Sequence, residues 1–407
     1  MNLTKKRWAV LVASCLVNLC IGSLYAWSVY ATPMTVYLGN IMGNELTSIA
    51  IVFTIANAVG PITMISGGYF NDKLGPKWVI IVGGVMFGAG MIISGFAKSL
   101  GMLIFSYGIL LGLGVGLVYG CTVSNTVKFF PDKRGFIGGI ATASYGVSSV
   151  LIPPVANKII EAFGVSMSFK LLGAVMLVTI CASAFFIIAC PKDFKPEGWN
   201  PPPVALSSKT PFDRNWTNML KDPIFYVMLL MLMCGAFSGL MAVSQASPVA
   251  QRMIGMSTGS AAVAVSLLAL FNAAGRVIAG IVSDKIGCIN TLSIVFVLSV
   301  AGLLMLFMCG VGTVVLFYAG ISMLGICFGS LMGVYPGFTA TQYGTHNNSV
   351  NYGIMFIGFA LAGYFGPTIM SNIYAATGSY KNAFLIAVAL SIAGLLLTFV
   401  YRKMSAK

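Results

Sequence analysis

SLLALFNAAGRVIAGIVSDKIG, residues 266–287, is an apolar run of helical length broken by one arginine, Arg276, and closed by Asp284-Lys285. If the run spans a bilayer, Arg276 sits about two helical turns inside it. A guanidinium keeps its charge in proteins and needs an anionic partner when buried. Placing one in a helix centre costs about 2.5–3.5 kcal/mol on insertion scales. No other apolar run offers a carboxylate. The nine acidic residues (Glu45, Asp72, Asp132, Glu161, Asp193, Glu197, Asp213, Asp222, Asp284) all fall at the ends of apolar runs or between them. The anion for Arg276 is therefore expected from the substrate.

The surrounding composition fits a chain that lives in lipid. Of 407 residues, 58% are hydrophobic and 8% charged, against about 25% charged in soluble domains. The formal charge of +14 does not form a basic face with interleaved aromatics; the cations stand between apolar runs, which points to topology and excludes nucleic acid as partner. The nine cysteines include no C-x-x-C pair, so neither zinc nor a disulfide framework is indicated, and no cofactor is expected. Lys5-Lys6-Arg7 before an apolar run imitates a secretory signal, but no small-residue cleavage site follows, and the run reads as an uncleaved first helix.

Runs of spanning length occur at about 8–31, 47–70, 77–97, 101–123, 136–157 and 168–190, then at about 223–248, 258–282, 290–310, 314–336, 350–374 and 382–402. Between the two sets lies a polar stretch with Pro201-Pro202-Pro203 and Ser207-Ser208, a linker by composition. The expectation is an all-α membrane protein: twelve transmembrane helices in two pseudo-symmetric six-helix bundles, residues 1–190 and 223–407, joined by a cytoplasmic linker at 191–222. With both termini inside, the outside holds only Lys98, Lys158, Lys170, Arg252 and Lys381, and the positive-inside rule is met. The expected location is a prokaryotic cell (inner) membrane, crossed many times, with the carrier working as a monomer.

The halves repeat each other. Gly68-Tyr-Phe-Asn-Asp72-Lys73-Leu-Gly75 recurs as Gly280-Ile-Val-Ser-Asp284-Lys285-Ile-Gly287; more weakly, Ala31-Thr-Pro33 recurs as Ala246-Ser-Pro248 and Val118-Tyr119 as Val334-Tyr335. Parallel six-helix repeats place a substrate site at their interface near the midplane.

The doubled G-x-x-x-D-K-x-G resembles the loop signature of the major facilitator superfamily. Lys128-Phe-Phe-Pro131-Asp132-Lys133-Arg134-Gly135, followed by Ser144-Tyr145-Gly146, is similar to the opening of helix 5 in its oxalate/formate antiporter family, close to the monocarboxylate transporters; Arg276 and Asn351-Tyr352-Gly353 match the same family. The resemblance implies the major facilitator fold and alternating access. It also implies a difference: oxalate exchangers carry a lysine eight residues after the asparagine of N-Y-G, where this chain has Phe359. One buried cation then remains where a dianion wants two, and a monocarboxylate balances Arg276 alone.

Around Arg276, Asn272 lies one turn earlier on the same helix face and can orient the arginine or the substrate, or simply bond a neighbouring helix. Tyr25 and Tyr30 in helix 1, Tyr119 in helix 4 and Tyr145 in helix 5 supply hydroxyls and rings for a small acid; Phe328 and Met332 take positions that are aromatic in the oxalate carriers. Arg276 has a bland reading as a snorkelling side chain, and each tyrosine has one as packing. Asp72, Lys73, Arg134, Asp284 and Lys285 are expected to gate: an aspartate at a helix end pairs with a neighbouring helix terminus or with Arg134. Gly112-x-Gly114-x-Gly116 follows no strand and reads as helix packing, not a dinucleotide loop. Pro153-Pro154 and Gly366-Pro367 are expected to bend helices 5 and 11. The sequons at Asn2, Asn215 and Asn347 fall on the cytoplasmic side, and His346, the one histidine, in a loop.

The expected function is secondary transport of small monocarboxylates of the lactate and pyruvate kind, proton-coupled; the alternative is anion exchange of the oxalate/formate type, and a remoter one a non-transporting acid sensor, which requires an output domain. No nucleophile–base pair or metal cluster marks an enzyme. Partners are the carboxylate, a proton or counter-anion, and the bilayer.

Overall fold

The computed structural model describes residues 3–43, 49–191, 194–199 and 213–405. Glu45, Lys192, Asp193, Lys209, the sequon at Asn2 and the Pro201–Ser208 part of the linker lie outside the described residues. Among those described there are helices and turns and no strand. Among the described residues eleven helices are long and apolar enough to cross a bilayer, and one of them covers two crossings. We number the crossings α1 Leu3–Met42, α2 Ile51–Leu74, α3 Pro76–Ser94, α4 Leu100–Lys128, then α5 and α6 as the two arms of Arg134–Ala184, followed by α7 Pro223–Arg252, α8 Gly259–Ile286, α9 Cys288–Met308, α10 Val314–Tyr343, α11 Asn348–Thr377 and α12 Lys381–Ser405. The arms of the 51-residue helix meet at Gly164, whose φ of 81° and ψ of 164° only glycine holds comfortably. Helix 5 therefore runs through Pro153 and Pro154, and its departure from helical backbone comes ten residues later. The twelve apolar runs of the sequence are all present, with displaced ends.

Two helices are irregular at places that no residue pattern marks. α1 passes through a 3-10 turn at Gly22–Ala26 and continues to Met42, about three helical turns past the end of the first apolar run near residue 31. α4 is π-helical from Ile104 to Leu111. Its start is capped by Ser99, whose Oγ accepts the Met102 N–H at 3.2 Å. Each Asp-Lys motif ends on a glycine with φ of 86°, Gly75 and Gly287, and the next helix begins on the following residue. That conformation, disfavoured for any L side chain, is why both copies of the motif close on glycine.

The chain forms two compact units. The first comprises 1–132, 144–213 and 343–354; the second comprises 133–143, 214–342 and 355–407. In the first, α4 packs on α2, α3 and α1; in the second, α7 packs on α11, α12 and α8, and α9 on α12. Side-chain exposure is inverted relative to a water-soluble helix. On α8, Leu270 and Ile278 are 57% and 53% exposed, whereas Asn272 and Arg276 are 7% and 3%. Apolar side chains outward and polar ones inward is the arrangement that a lipid surround stabilises.

Candidate functional site

Within the second unit α8 is held by close backbone approach on two sides. A Cβ at Gly329 or Gly333 of α10 would stand 1.9 Å from the Asn272 carbonyl oxygen or 2.4 Å from that of Arg276. On the other side, a Cβ at Gly139 of α5 would stand 2.3 Å from the Arg276 carbonyl oxygen. No larger residue fits at either place, so the main chain of Arg276 is clamped between two helices. The helix start is fixed by Ser257, whose Oγ accepts the Ser260 N–H at 3.3 Å.

The clamp fixes the backbone, and two hydrogen bonds fix the guanidinium. Nε donates to Asn272 Oδ1 at 2.9 Å, and Nη1 donates to the main-chain carbonyl of Thr142 at 2.5 Å. Two of the five guanidinium N–H donors are thus engaged, leaving three, among them both on Nη2. Among the described residues no carboxylate pairs with Arg276. Asn272 does orient the arginine, the first of the alternatives its spacing left open. On neighbouring elements of the same unit, Phe328 of α10 stacks on Phe359 of α11 with centroids 6.2 Å apart, and Phe359 stacks in turn on Phe356 at 4.4 Å. Met332 is buried one turn after Phe328.

In the first unit the predicted tyrosines separate into two groups. Tyr145 makes edge contacts with Tyr25 and with Tyr119, centroids 5.3 and 5.1 Å apart. Gly22 allows this, because a Cβ there would stand 2.3 Å from the Tyr145 carbonyl oxygen, and the 3-10 turn that follows sets the direction of Tyr25. Tyr30 stands apart from the trio. It stacks on Phe169 at 4.1 Å and its hydroxyl bonds Ser168 at 3.1 Å, fully buried.

The Asp-Lys motifs each hold a helix N-terminus. Asp284 accepts the Gly135 N–H at 2.7 Å through Oδ1 and the Phe136 N–H at 2.8 Å through Oδ2, at the start of α5. Asp72 accepts the Val350 N–H at 3.2 Å, at the start of α11, and its other oxygen takes Lys128 Nζ at 2.6 Å. Both arrangements place an anion where helix N–H groups have no intrahelical acceptor. Arg134 heads the same turn as Gly135. Lys73 bonds the Tyr69 hydroxyl and lies over its ring at 4.2 Å, while Lys285 is exposed.

Some participants were not legible as side-chain chemistry. The Thr142 contribution is a main-chain carbonyl, which no residue type announces. A buried polar seam in the first unit joins Asn71, Ser349, Ser124 and Asn348 by bonds of 2.6, 2.9 and 3.1 Å. Arg7, read only as a topological charge, makes a two-pronged ion pair with Asp132 at 2.7 and 3.2 Å and lies 4.5 Å above the Phe130 ring. The signal available for these was the repeat itself: Asp72 and Val350 correspond to Asp284 and Phe136 at nearly one offset.

Comparison with known proteins agrees with this architecture. The chain is 33% identical over 410 residues to the oxalate:formate antiporter of Oxalobacter formigenes, covering 99% of this chain and 93% of that one. It is 25% identical to monocarboxylate transporter 12 of Xenopus laevis, over 79% and 73% of the two chains. In three dimensions it resembles the transporter FucP in its outward conformation, with a TM-score of 0.71 at 14% identity over 96% and 98% of the chains; at that identity the likeness concerns the fold. The sequence pattern of the Major Facilitator Superfamily matches residues 16–367. The chain belongs to the major facilitator superfamily of membrane transporters, with an oxalate:formate antiporter and monocarboxylate transporters among its relatives.

Proposed function

We propose that this transporter carries small monocarboxylates, of the lactate and pyruvate kind, with Arg276 as the group that takes the carboxylate. The observation that carries the reading is a guanidinium 3% exposed, clamped in place, holding unused donors, with no carboxylate partner among the described residues. A carboxylate satisfies it with charge-assisted bonds in a medium of low dielectric. A dianion would keep a second charge unpaired, which is costly; Phe359, stacked between aromatic rings, offers it no cation. Tyr25, Tyr119 and Tyr145 are the proposed aromatic surface for the rest of the acid, with Phe328 and Met332 as apolar wall. Asn272 positions Arg276. Asp72 and Asp284, with Lys73, Arg134 and Lys285, are the proposed gate, the halves 1–190 and 223–407 the two moving bundles, and both termini cytoplasmic.

Coupling is to a proton carried with the substrate or on its complex with Arg276. A second reading, exchange of one anion for another, is favoured by a specific observation. No acidic residue lies mid-span among the described helices, so the protein itself offers no carboxylate to shuttle a proton or to neutralise Arg276 when the carrier is empty. Uptake of labelled pyruvate and lactate into proteoliposomes, with and without a pH gradient and with and without internal anion, tests both. Uptake driven by the pH gradient alone supports symport; uptake that requires internal anion supports exchange; absence of uptake under every condition overturns the substrate class.

A further inference from the structure

The loop between α10 and α11, residues 344–347, is held through the main chain of its histidine. Gly344 enters the loop with φ of 84°, and the Asn348 N–H closes a turn on the Thr345 carbonyl at 3.3 Å. His346 stands inside that turn, whose own bond uses neither its N–H nor its carbonyl. Charged side chains of the first unit take both. Asp213 Oδ1 accepts the His346 N–H at 3.0 Å, and Lys128 Nζ donates to the His346 carbonyl at 3.2 Å.

The same lysine joins the loop to the gate. Lys128 Nζ also bonds Asp72 at 2.6 Å, and Asp72 takes the Val350 N–H at 3.2 Å. Around Val350 the first turns of α11 lie on α2. Asn71 Nδ2 donates to Ser349 Oγ at 2.6 Å, and a Cβ at Gly353 would stand 2.9 Å from the Met64 carbonyl oxygen. Residues 346–353 are thus fastened in sequence, and the first fastening comes from the linker, of which Asp213 is the last residue in the first unit. The linker also meets this unit near its beginning. The Phe194 ring lies 5.5 Å from that of Phe129, and the Glu197 N–H donates to Thr4 Oγ1 at 3.3 Å. A surface loop opens more readily than the helix behind it. A carboxylate on its N–H, a charge-assisted bond, raises the cost of that opening.

We infer that Asp213 is a positioning residue of the gate: the end of the linker pins the loop ahead of α11 and thereby keeps the Val350 N–H on Asp72. This rests on Asp72 acting in the gate, and it gives the linker, by composition a plain connector, a part in that gate. Asp213 acts through the His346 main chain and touches neither Arg276 nor the tyrosines. It therefore bears on the rate of the transport cycle and not on the affinity for substrate.

Hydrogen–deuterium exchange on the purified, ligand-free transporter tests it, beside uptake of labelled pyruvate into proteoliposomes. In Asp213→Ala, exchange over 344–350 should rise about 5-fold with α12 unchanged, from loss of one exposed hydrogen bond. Pyruvate turnover should slow by a similar factor with KM unchanged. Asp213→Asn keeps an acceptor oxygen without the charge, and should fall between the alanine variant and the parent in both measurements. Unchanged exchange over 344–350 in Asp213→Ala overturns the pin. Faster exchange with parental turnover reduces Asp213 to the cap of a turn; its part in the gate is then overturned, and the gate itself stands. If Asp72→Asn on the same preparations leaves turnover intact, the gate reading falls, and the linker's part with it.

Discussion

Asp284 grips α5 at Gly135: its Oδ1 accepts the Gly135 N–H at 2.7 Å while Oδ2 takes that of the next residue at 2.8 Å. An anion on the positive end of a helix is worth about 0.3–1 kcal/mol when exposed and up to about 2 kcal/mol in partly buried geometry. The counterpart Asp72 divides its oxygens between Val350 N–H at 3.2 Å and Lys128 at 2.6 Å. The two contacts are one device used twice: in each copy of the motif the aspartate takes backbone N–H at the start of a helix.

Asp284→Asn and Asp72→Asn should therefore both slow turnover, by about 10-fold for each 1.4 kcal/mol of lost stabilisation. Substrate affinity should change little in either. Asp72→Asn should also lower thermal stability, because it strands Lys128. Initial rates and equilibrium binding on the same preparations separate the effects; a collapse of affinity with turnover intact would place the aspartate in the binding site.

Phe359→Lys supplies the second cation. Competition by oxalate against labelled pyruvate should be weak in the parent and should strengthen in the variant, with pyruvate binding weakened. The effect should fade toward high pH, since a buried lysine without its anion sheds its proton readily. Oxalate competing as well as pyruvate in the parent would remove the single-cation argument.

The clamp on Arg276 predicts a contrast along α8. Gly333→Ala forces a Cβ to within 2.4 Å of the Arg276 carbonyl oxygen; overpacking of this kind costs about 1–3 kcal/mol. Gly259→Ala, on α8 itself with nothing within 4 Å, should be neutral or stabilise slightly, as alanine is the better helix former. Thermal unfolding in detergent reads both. Equal melting points for the two variants would mean α10 yields freely and the clamp is not rigid.

Arg7 and Asp132 form a largely buried pair, their side chains 10% and 14% exposed. Arg7→Ala or Asp132→Ala alone should destabilise by about 3 kcal/mol, since each leaves a partner charge stranded. The double variant should recover part of that loss in a thermodynamic cycle. Strict additivity would show that the two charges do not interact in solution.

Much of this was readable in the sequence, for definite reasons. Spanning length and charge depletion give the twelve crossings; the repeated Gly68–Gly75 and Gly280–Gly287 give the internal symmetry; the isolation of Arg276 among apolar residues gives the candidate site. Asn272 was legible as a partner because helical spacing fixes one turn. The Thr142 carbonyl was not, because main-chain groups carry no residue signature. The glycines were visible as a pattern, but which backbone each one admits depends on the packing of other helices. Tyr30 shows the converse. Five residues from Tyr25 on the same apolar run, and so about 140° away around a regular helix, it ends up stacked on Phe169.

The most direct test of the account is Arg276→Ala. Removing an unpaired buried cation should leave the melting temperature unchanged or raise it, so loss of function cannot be laid to misfolding. Affinity for pyruvate should fall by about 100-fold or more, as a fully desolvated charge-assisted pair is lost, and Arg276→Lys should recover little, because a point charge does not reproduce the fork. The measurement is saturable pyruvate uptake by the purified alanine variant in proteoliposomes, beside its unfolding curve. The account predicts a folded protein with no saturable uptake; a folded variant that transports pyruvate normally would contradict it.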